Sequence, residues 1–197
     1  MPLGLIPSAW AIEKGLAPYP FGDPELVTIT LTRDREPDIV RKLGSHPCVV
    51  PAPNRPLESL FYKSADGAHL RFDVGSDGLE SMTMSADPIV SGVCYAPVGR
   101  SLKIETGKGV RLGDPLDNIL GLYGQPTEQF AVGTLVRCKW DTANELDRYY
   151  EWDLVFREGR LVEWSALSRD YSLARGVSDT ITFAAERPAR SMRRTRP

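Results

Sequence analysis

Histidine is nearly absent from this chain: His46 and His69 are the only two in 197 residues. Neither stands at ligand spacing from Cys48, Cys94 or Cys138, so no zinc site is expected, and no other metal or cofactor motif is present. The three cysteines lie far apart with no C-x-x-C pair. That leaves two readings open, buried thiols acting as small hydrophobes or one disulfide plus a free thiol. No apolar run approaches the roughly 20 residues that cross a bilayer, so no membrane span is expected. A formal net charge of −2 lacks the basic surplus that nucleic-acid binding by the core requires. The opening Met1-Pro-Leu-Gly-Leu-Ile-Pro-Ser-Ala-Trp-Ala has no basic n-region and its prolines break the apolar run, so it does not read as a secretory signal. A cytoplasmic location is expected, or a periplasmic or secreted one if Met1 is not native.

Catalytic patterns are equally scarce. Ser45-His46 and His69 lack a nucleophile elbow, and Gly107-Lys-Gly109 is too short for a P-loop. Glu151 and Asp153 share a strand face and form a conceivable acid–base pair, but such pairs are frequent on exposed strands. No catalytic residue is expected, and the chain reads as a non-enzyme.

What is present is an ordinary apolar content of 42% arranged with clear periodicity. In Thr106–Pro126, Leu116, Ile119, Leu120 and Tyr123 recur at helical spacing. Asp114 is the expected N-cap, Pro115 the first helical residue, and Gly124 with Pro126 the stop. About eighty residues earlier, Asp34 through Leu43-Gly44 to Pro47 repeats the pattern in weaker form. Leu26–Thr32 predicts a strand, and the prolines at 47, 51, 53 and 56 predict a loop. Alternation then predicts strands over Leu60–Lys63, His69–Val74 and Leu79–Met84, with Val90–Tyr95 continuing the sheet. After the second helix come Leu135–Asp141, Arg148–Phe156 and Arg160–Leu167. Glycine turns at Gly67, Gly78 and Gly159 separate consecutive strands.

The expected fold class is therefore α+β: two helix plus antiparallel-sheet repeats forming one curved sheet with helices on one face. The expected organisation is an irregular N-terminal arm over 1–24, repeat 1 over 25–100, repeat 2 over 101–183, and a basic disordered tail over 184–197. That tail carries five arginines and two prolines from Glu186 onward with almost nothing apolar to bury.

The pattern Thr106-x-x-Gly109-Val-x-Leu-Gly113-Asp, helix, Tyr123-Gly124-x-Pro126, then three strands ending in Gly159-Arg-Leu-Val-Glu-Trp164, resembles one repeat of the β-lactamase-inhibitor-protein-like fold. It is also similar to the small outer-membrane assembly lipoproteins of the SmpA/OmlA type. The resemblance implies a tandem arrangement whose sheet is a protein-binding surface without a catalytic site. The sequence departs from those families in having no lipobox cysteine and no cysteine pair within each repeat, so neither an anchor nor a target carries over.

Alternation places Arg137, Lys139, Tyr149, Glu151, Asp153 and Glu163 on the face opposite the apolar one, with His69 and Arg71 at corresponding positions in the first repeat. Tyrosine and arginine are common energetic anchors of interfaces. The expected function is a non-enzymatic protein-binding module of inhibitor, immunity or assembly-adaptor type, using this face. The alternatives are a small-ligand-binding or envelope-associated module and, further off, an uncharacterised hydrolase.

Overall fold

The structure, a computed structural model, describes residues 17–18, 25–52, 56–143 and 148–170. The basic tail over 184–197 and most of the N-terminal arm lie outside the described residues.

The alternating segments form strands over nearly the expected residues. Glu58–Lys63 (β5), His69–Gly75 (β6) and Gly78–Ser85 (β7) make one antiparallel meander. Leu135–Ala143 (β10), Arg148–Arg157 (β11) and Arg160–Asp170 (β12) make a second. The two join edge to edge where β7 pairs antiparallel with β12. Each meander is extended on its outer side by a further strand, Cys48–Pro51 (β4) on β5 and Glu128–Val132 (β9) on β10. Two-residue strands at Ala17–Pro18 (β1) and Ala96–Pro97 (β8) pair parallel with β10 and β5. Among the described residues the result is a ten-stranded sheet.

This overturns the expected α+β class. The described residues are predominantly antiparallel β-sheet, and the two helices among them, Glu36–Leu43 (α1) and Leu116–Tyr123 (α2), are only eight residues each. The helices stay short while the strands dominate: β10–β12 run to nine, ten and eleven residues, longer than expected, and β4 and β9 add further strands where a proline loop and a connection were expected. Val90–Tyr95, expected to continue the sheet, instead runs outside any strand.

Two ladders of large side chains cross the sheet from one meander into the other. One is Leu60–Phe72–Met82–Ala166–Trp152–Trp140, and the next is Tyr62–Leu70–Met84–Trp164–Leu154–Cys138. All twelve are buried and belong to one core cluster with Ile39 and Leu43 of α1 and Ile119 and Tyr123 of α2. Burial at roughly 25 cal/mol per Å² of apolar surface is what holds the two meanders as one body.

The helix entries differ from expectation in one instructive way. Asp34 and Asp114 do not cap their helices; the N-caps are Arg35 and Pro115. Each aspartate reaches backward instead. Asp34 Oδ2 accepts from Thr30 N–H at 2.6 Å, and Asp114 Oδ2 from Arg111 N–H at 2.8 Å. Their carbonyls accept from Leu79 N–H and Leu161 N–H, pinning each helix entry to a β-hairpin.

The stretch expected as a strand at Leu26–Thr32 is a tight two-stranded hairpin of Glu25–Leu26 (β2) and Ile29–Thr30 (β3). Its turn places Val27 at φ 53° and Thr28 at φ 64°, which β-branched residues rarely adopt. Val27 N–H donates to Glu105 O at 3.0 Å, and Lys42 Nζ donates to Thr28 O at 2.7 Å while also meeting Asp34 Oδ2 at 2.7 Å. These contacts hold a turn the local sequence does not favour.

Residues 96–100 run along β5, where Val98 N–H donates to Lys63 O at 2.9 Å, to the end of α1, where Gly99 N–H donates to Leu43 O at 2.9 Å. A Cβ at Gly99 would stand 2.3 Å from the carbonyl oxygen of Gly44, which is backbone and cannot turn away. Gly99→Ala is expected to destabilise the protein by about 1–3 kcal/mol through overpacking. A denaturant titration measures it, and an unchanged midpoint would refute the close approach.

Candidate protein-binding face

On the side of the sheet opposite the core, the strands line up polar side chains in register. One row reads Phe61–Arg71–Thr83–Ser165–Asp153–Lys139 and continues to Glu128. The adjacent row reads His69–Ser85–Glu163–Val155–Arg137 and continues to Phe130. Alternation alone therefore suffices to bring Arg137, Lys139, Glu151, Asp153, Glu163, His69 and Arg71 to one face. Tyr149 lies in β11, but its side chain lies outside what the structure describes.

These residues do not all present themselves equally. In the second meander Arg137 grips Asp153 through two nitrogens, with Nε at 2.7 and 2.8 Å from its two carboxylate oxygens. Lys139 Nζ lies 3.2 Å from Glu151 Oε1. Each member of the conceivable Glu151–Asp153 acid–base pair is thus matched to its own cation. The Asp153 side chain is only 12% exposed, whereas the Arg137 side chain retains 39%. Half-buried ion pairs of this kind lose less to solvent screening than fully exposed ones.

In the first meander Asp73 accepts from Ser59 Oγ at 2.6 Å, Ser81 Oγ at 2.5 Å and Arg71 Nε at 2.7 Å, and Arg71 also lies over the Phe61 ring. His69 is not available as a surface residue. It is 7% exposed, with the Tyr95 ring edge-on at 4.8 Å, and Tyr95 also covers Phe61 at 5.4 Å. Burial, and after it the Lys63 charge, push the His69 imidazole down, and its Nδ1 has no hydrogen-bond partner among the described residues.

Tyr95 arrives on a strap, residues 86–95, that crosses this face. Ala86 N–H donates to Val162 O at 2.8 Å, Arg157 meets Asp87 at 3.0 Å, and the Tyr95 hydroxyl accepts from Val90 N–H at 2.9 Å. A Cys48–Cys94 disulfide staples its far end to β4, with Cα atoms 5.8 Å apart. Cys138 is a buried free thiol in the core. Of the two cysteine readings left open by the sequence, the disulfide with one free thiol is the one formed.

Glu163 sits between the meanders. Burial, followed by the Asp153 carboxylate, pushes it up, against the pull of Arg137. Its proton is therefore held more tightly in the folded chain than in the unfolded one. As pH rises through the range above 4.5 the unfolded state ionises first, so the group subtracts from stability at neutral pH. Glu163→Gln is expected to raise the thermal midpoint at pH 7, with the gain vanishing near pH 4, where both states carry the proton. A lower midpoint at pH 7 would contradict this reading.

The sequence reading passed over the apolar part of this face. β9 is exposed along its whole length, and Phe130 (54% exposed) and Val132 (77%) share the face with Leu135 (39%), which stands opposite Val132. The signal was Glu128-x-Phe130-x-Val132 ahead of Gly133-Thr134, an alternating strand running into a turn with Gly133 at φ 61°.

Among the described residues no group of three or more potential metal ligands comes together, and no helix is long and apolar enough to cross a membrane. No known family model and no curated protein matches the chain. Among solved structures it is similar to an extracellular protein containing a SCP domain from Bacillus anthracis str. Ames, determined at 1.5 Å resolution, with 10% identity and a TM-score of 0.41. The match covers 71% of this chain and 44% of that one, so the chain spans less than half of that protein's length, and a likeness this distant carries no argument about fold or function.

Proposed function

We propose that the protein is a non-enzymatic binding module that recognises another protein through the sheet face of β9–β12. The observation that supports this reading is the exposed apolar set Phe130, Val132 and Leu135, contiguous in register with the ion-paired Arg137, Lys139, Glu151 and Asp153. An apolar centre beside a polar, charged rim is the usual anatomy of a protein–protein interface. The ion pairs hold the arginine and lysine in fixed positions before a partner arrives, which lowers the ordering cost of association. The resemblance carried by Thr106–Trp164 points the same way, toward an inhibitor, immunity or assembly-adaptor role. The Cys48–Cys94 disulfide favours a periplasmic or secreted location over a cytoplasmic one.

The test is capture from the native host with the wild-type chain and with a Leu135→Asp/Lys139→Ala variant. Both positions retain exposure, so the variant should keep the wild-type thermal midpoint to within a few degrees. The reading predicts a partner recovered by the wild type and reduced at least about tenfold by the variant, the loss of roughly 1.4 kcal/mol of binding. Equal recovery by both would sink it.

A further inference from the structure

The strap over residues 86–95 is fixed at both ends and loosely held between them. At its base Ala86 N–H donates to Val162 O, and just past its end β8 pairs with β5. Between those points no backbone hydrogen bond joins it to the sheet among the described residues. None of its residues is buried, and Ser91, Gly92 and Cys94 are exposed. The bonds between the Tyr95 hydroxyl and Val90 lie inside the strap and would move with it. Asp87 and Arg157 form an ion pair in which both side chains are more than half exposed, so it contributes little. Two contacts remain at the far end: Tyr95 packed edge-on against Phe61 and His69, and the Cys48–Cys94 bridge.

The surface beneath the strap is separate from the main core. Phe61 is 2% exposed, yet alternation turns it away from Leu60 and Tyr62, and it stands outside the cluster that joins the two meanders. His69 beside it is buried, with Nδ1 unpartnered among the described residues. Closing the strap therefore strips water from an imidazole nitrogen and offers nothing in exchange, a cost that opening relieves. The aromatic contacts favour closure and the stranded nitrogen opposes it. The bridge decides between them.

We infer that Cys48–Cys94 is a redox latch: its reduction by a dithiol lets residues 87–95 lift from the sheet and uncovers Phe61 and His69 while both meanders stay folded. The exposure of Cys94 gives the reductant its point of attack. A thiolate of the dithiol attacks the Cys94 sulfur, forming a mixed disulfide, and the Cys48 sulfur leaves as a thiolate that takes up a proton. The second thiol of the reductant then displaces Cys94, which is protonated in turn. The chain has gained two electrons and two protons, and the dithiol departs as its disulfide. In the open state His69 and Phe61 stand uncovered beside Arg71, in rows that continue across the sheet to Glu163 and Asp153. The latch is independent of the partner-binding reading, because it acts on β5 and β6 and not on β9–β12. Either can fail while the other stands.

The two imidazoles supply the test, since the chain contains only His46 and His69. Their Cε1–H proton resonances are assigned with His46→Gln, and their broadening by a soluble paramagnetic chelate is measured on the full chain. In the oxidised chain His69 should broaden at least about tenfold less than the exposed His46. After dithiothreitol the two should agree to within about twofold, and reoxidation should restore the contrast. Tyr95→Ala with the bridge intact should leave His69 open without reduction, which identifies the ring as the cover. A thiol count on the reduced chain separates local opening from unfolding: Cys48 and Cys94 should react and the buried Cys138 should not. The inference is overturned if Cys48 and Cys94 are both free and His69 stays protected, or if Cys138 reacts with them. A bridge that dithiothreitol cannot reduce in the folded chain, or a protected His69 in Tyr95→Ala, would overturn it equally.

Discussion

Trp164→Ala is expected to cost about 3–5 kcal/mol, the range for emptying a buried tryptophan site. The residue is 1% exposed on β12, opposite Met84 of β7 on one side and Leu154 of β11 on the other. It therefore fills the ladder position at which the two meanders meet. A domain of this size has about 5–15 kcal/mol to lose, so the variant should unfold at a much lower denaturant concentration. The location of the site predicts something more specific than loss of stability. Because one cluster of buried residues runs through both meanders, the variant should still unfold in a single transition seen alike by fluorescence and circular dichroism. Two separated transitions would mean that the meanders are independent bodies and that the β7–β12 seam is a minor contact. A loss below about 1 kcal/mol would mean that Trp164 is not buried as described.

Removal of the Cys48–Cys94 disulfide is the second large effect. The bridge closes a sequence separation of 46 residues, for which the chain-entropy relation gives about 4 kcal/mol of stabilisation through the unfolded state. A Cys48→Ser/Cys94→Ser variant should lose most of that. The same change frees the far end of the strap that lays Tyr95 over Phe61 and His69. Amide exchange in residues 86–95 and in the neighbouring strands β5 and β6 should therefore accelerate more than exchange in β10–β12. The Cys94 residue is exposed, so reduction of the folded protein by a small dithiol should reproduce the variant's behaviour. The buried Cys138 should remain unmodified by a thiol reagent until the chain unfolds. A loss of under about 1 kcal/mol on removing the bridge would contradict this account of the strap.

Much of the sheet was legible because its strands alternate cleanly between glycine turns. Tyr62, Leu70, Phe72 and Trp152, Leu154, Phe156 declare one buried face, and period-two geometry then fixes the other. The same logic put Arg137, Lys139, Glu151 and Asp153 together without any knowledge of pairing. Three things escaped it for physical reasons. β4 contains Pro51 and its Val49 and Val50 are exposed, and β9, although Glu128, Phe130 and Val132 alternate, is exposed on every residue, so neither buries a face against the core as the other long strands do. Both add to a sheet that already outweighs the two eight-residue helices. The left-handed turn at Val27-Thr28 runs against the strand preference of both residues and is imposed by contacts from Glu105 and Lys42, both distant in sequence. The disulfide could not be paired from spacing alone, and with it the strap that hides His69 remained invisible.

We propose that protein recognition occurs on the face of β9–β12. Hydrogen–deuterium exchange of the chain, alone and saturated with the captured partner, tests it most directly. New protection is expected to concentrate in residues 128–141 and 148–157 and to leave α1, α2 and β4–β6 unchanged. Protection centred on the helices, or on β4–β6 with 128–141 unaffected, would contradict it.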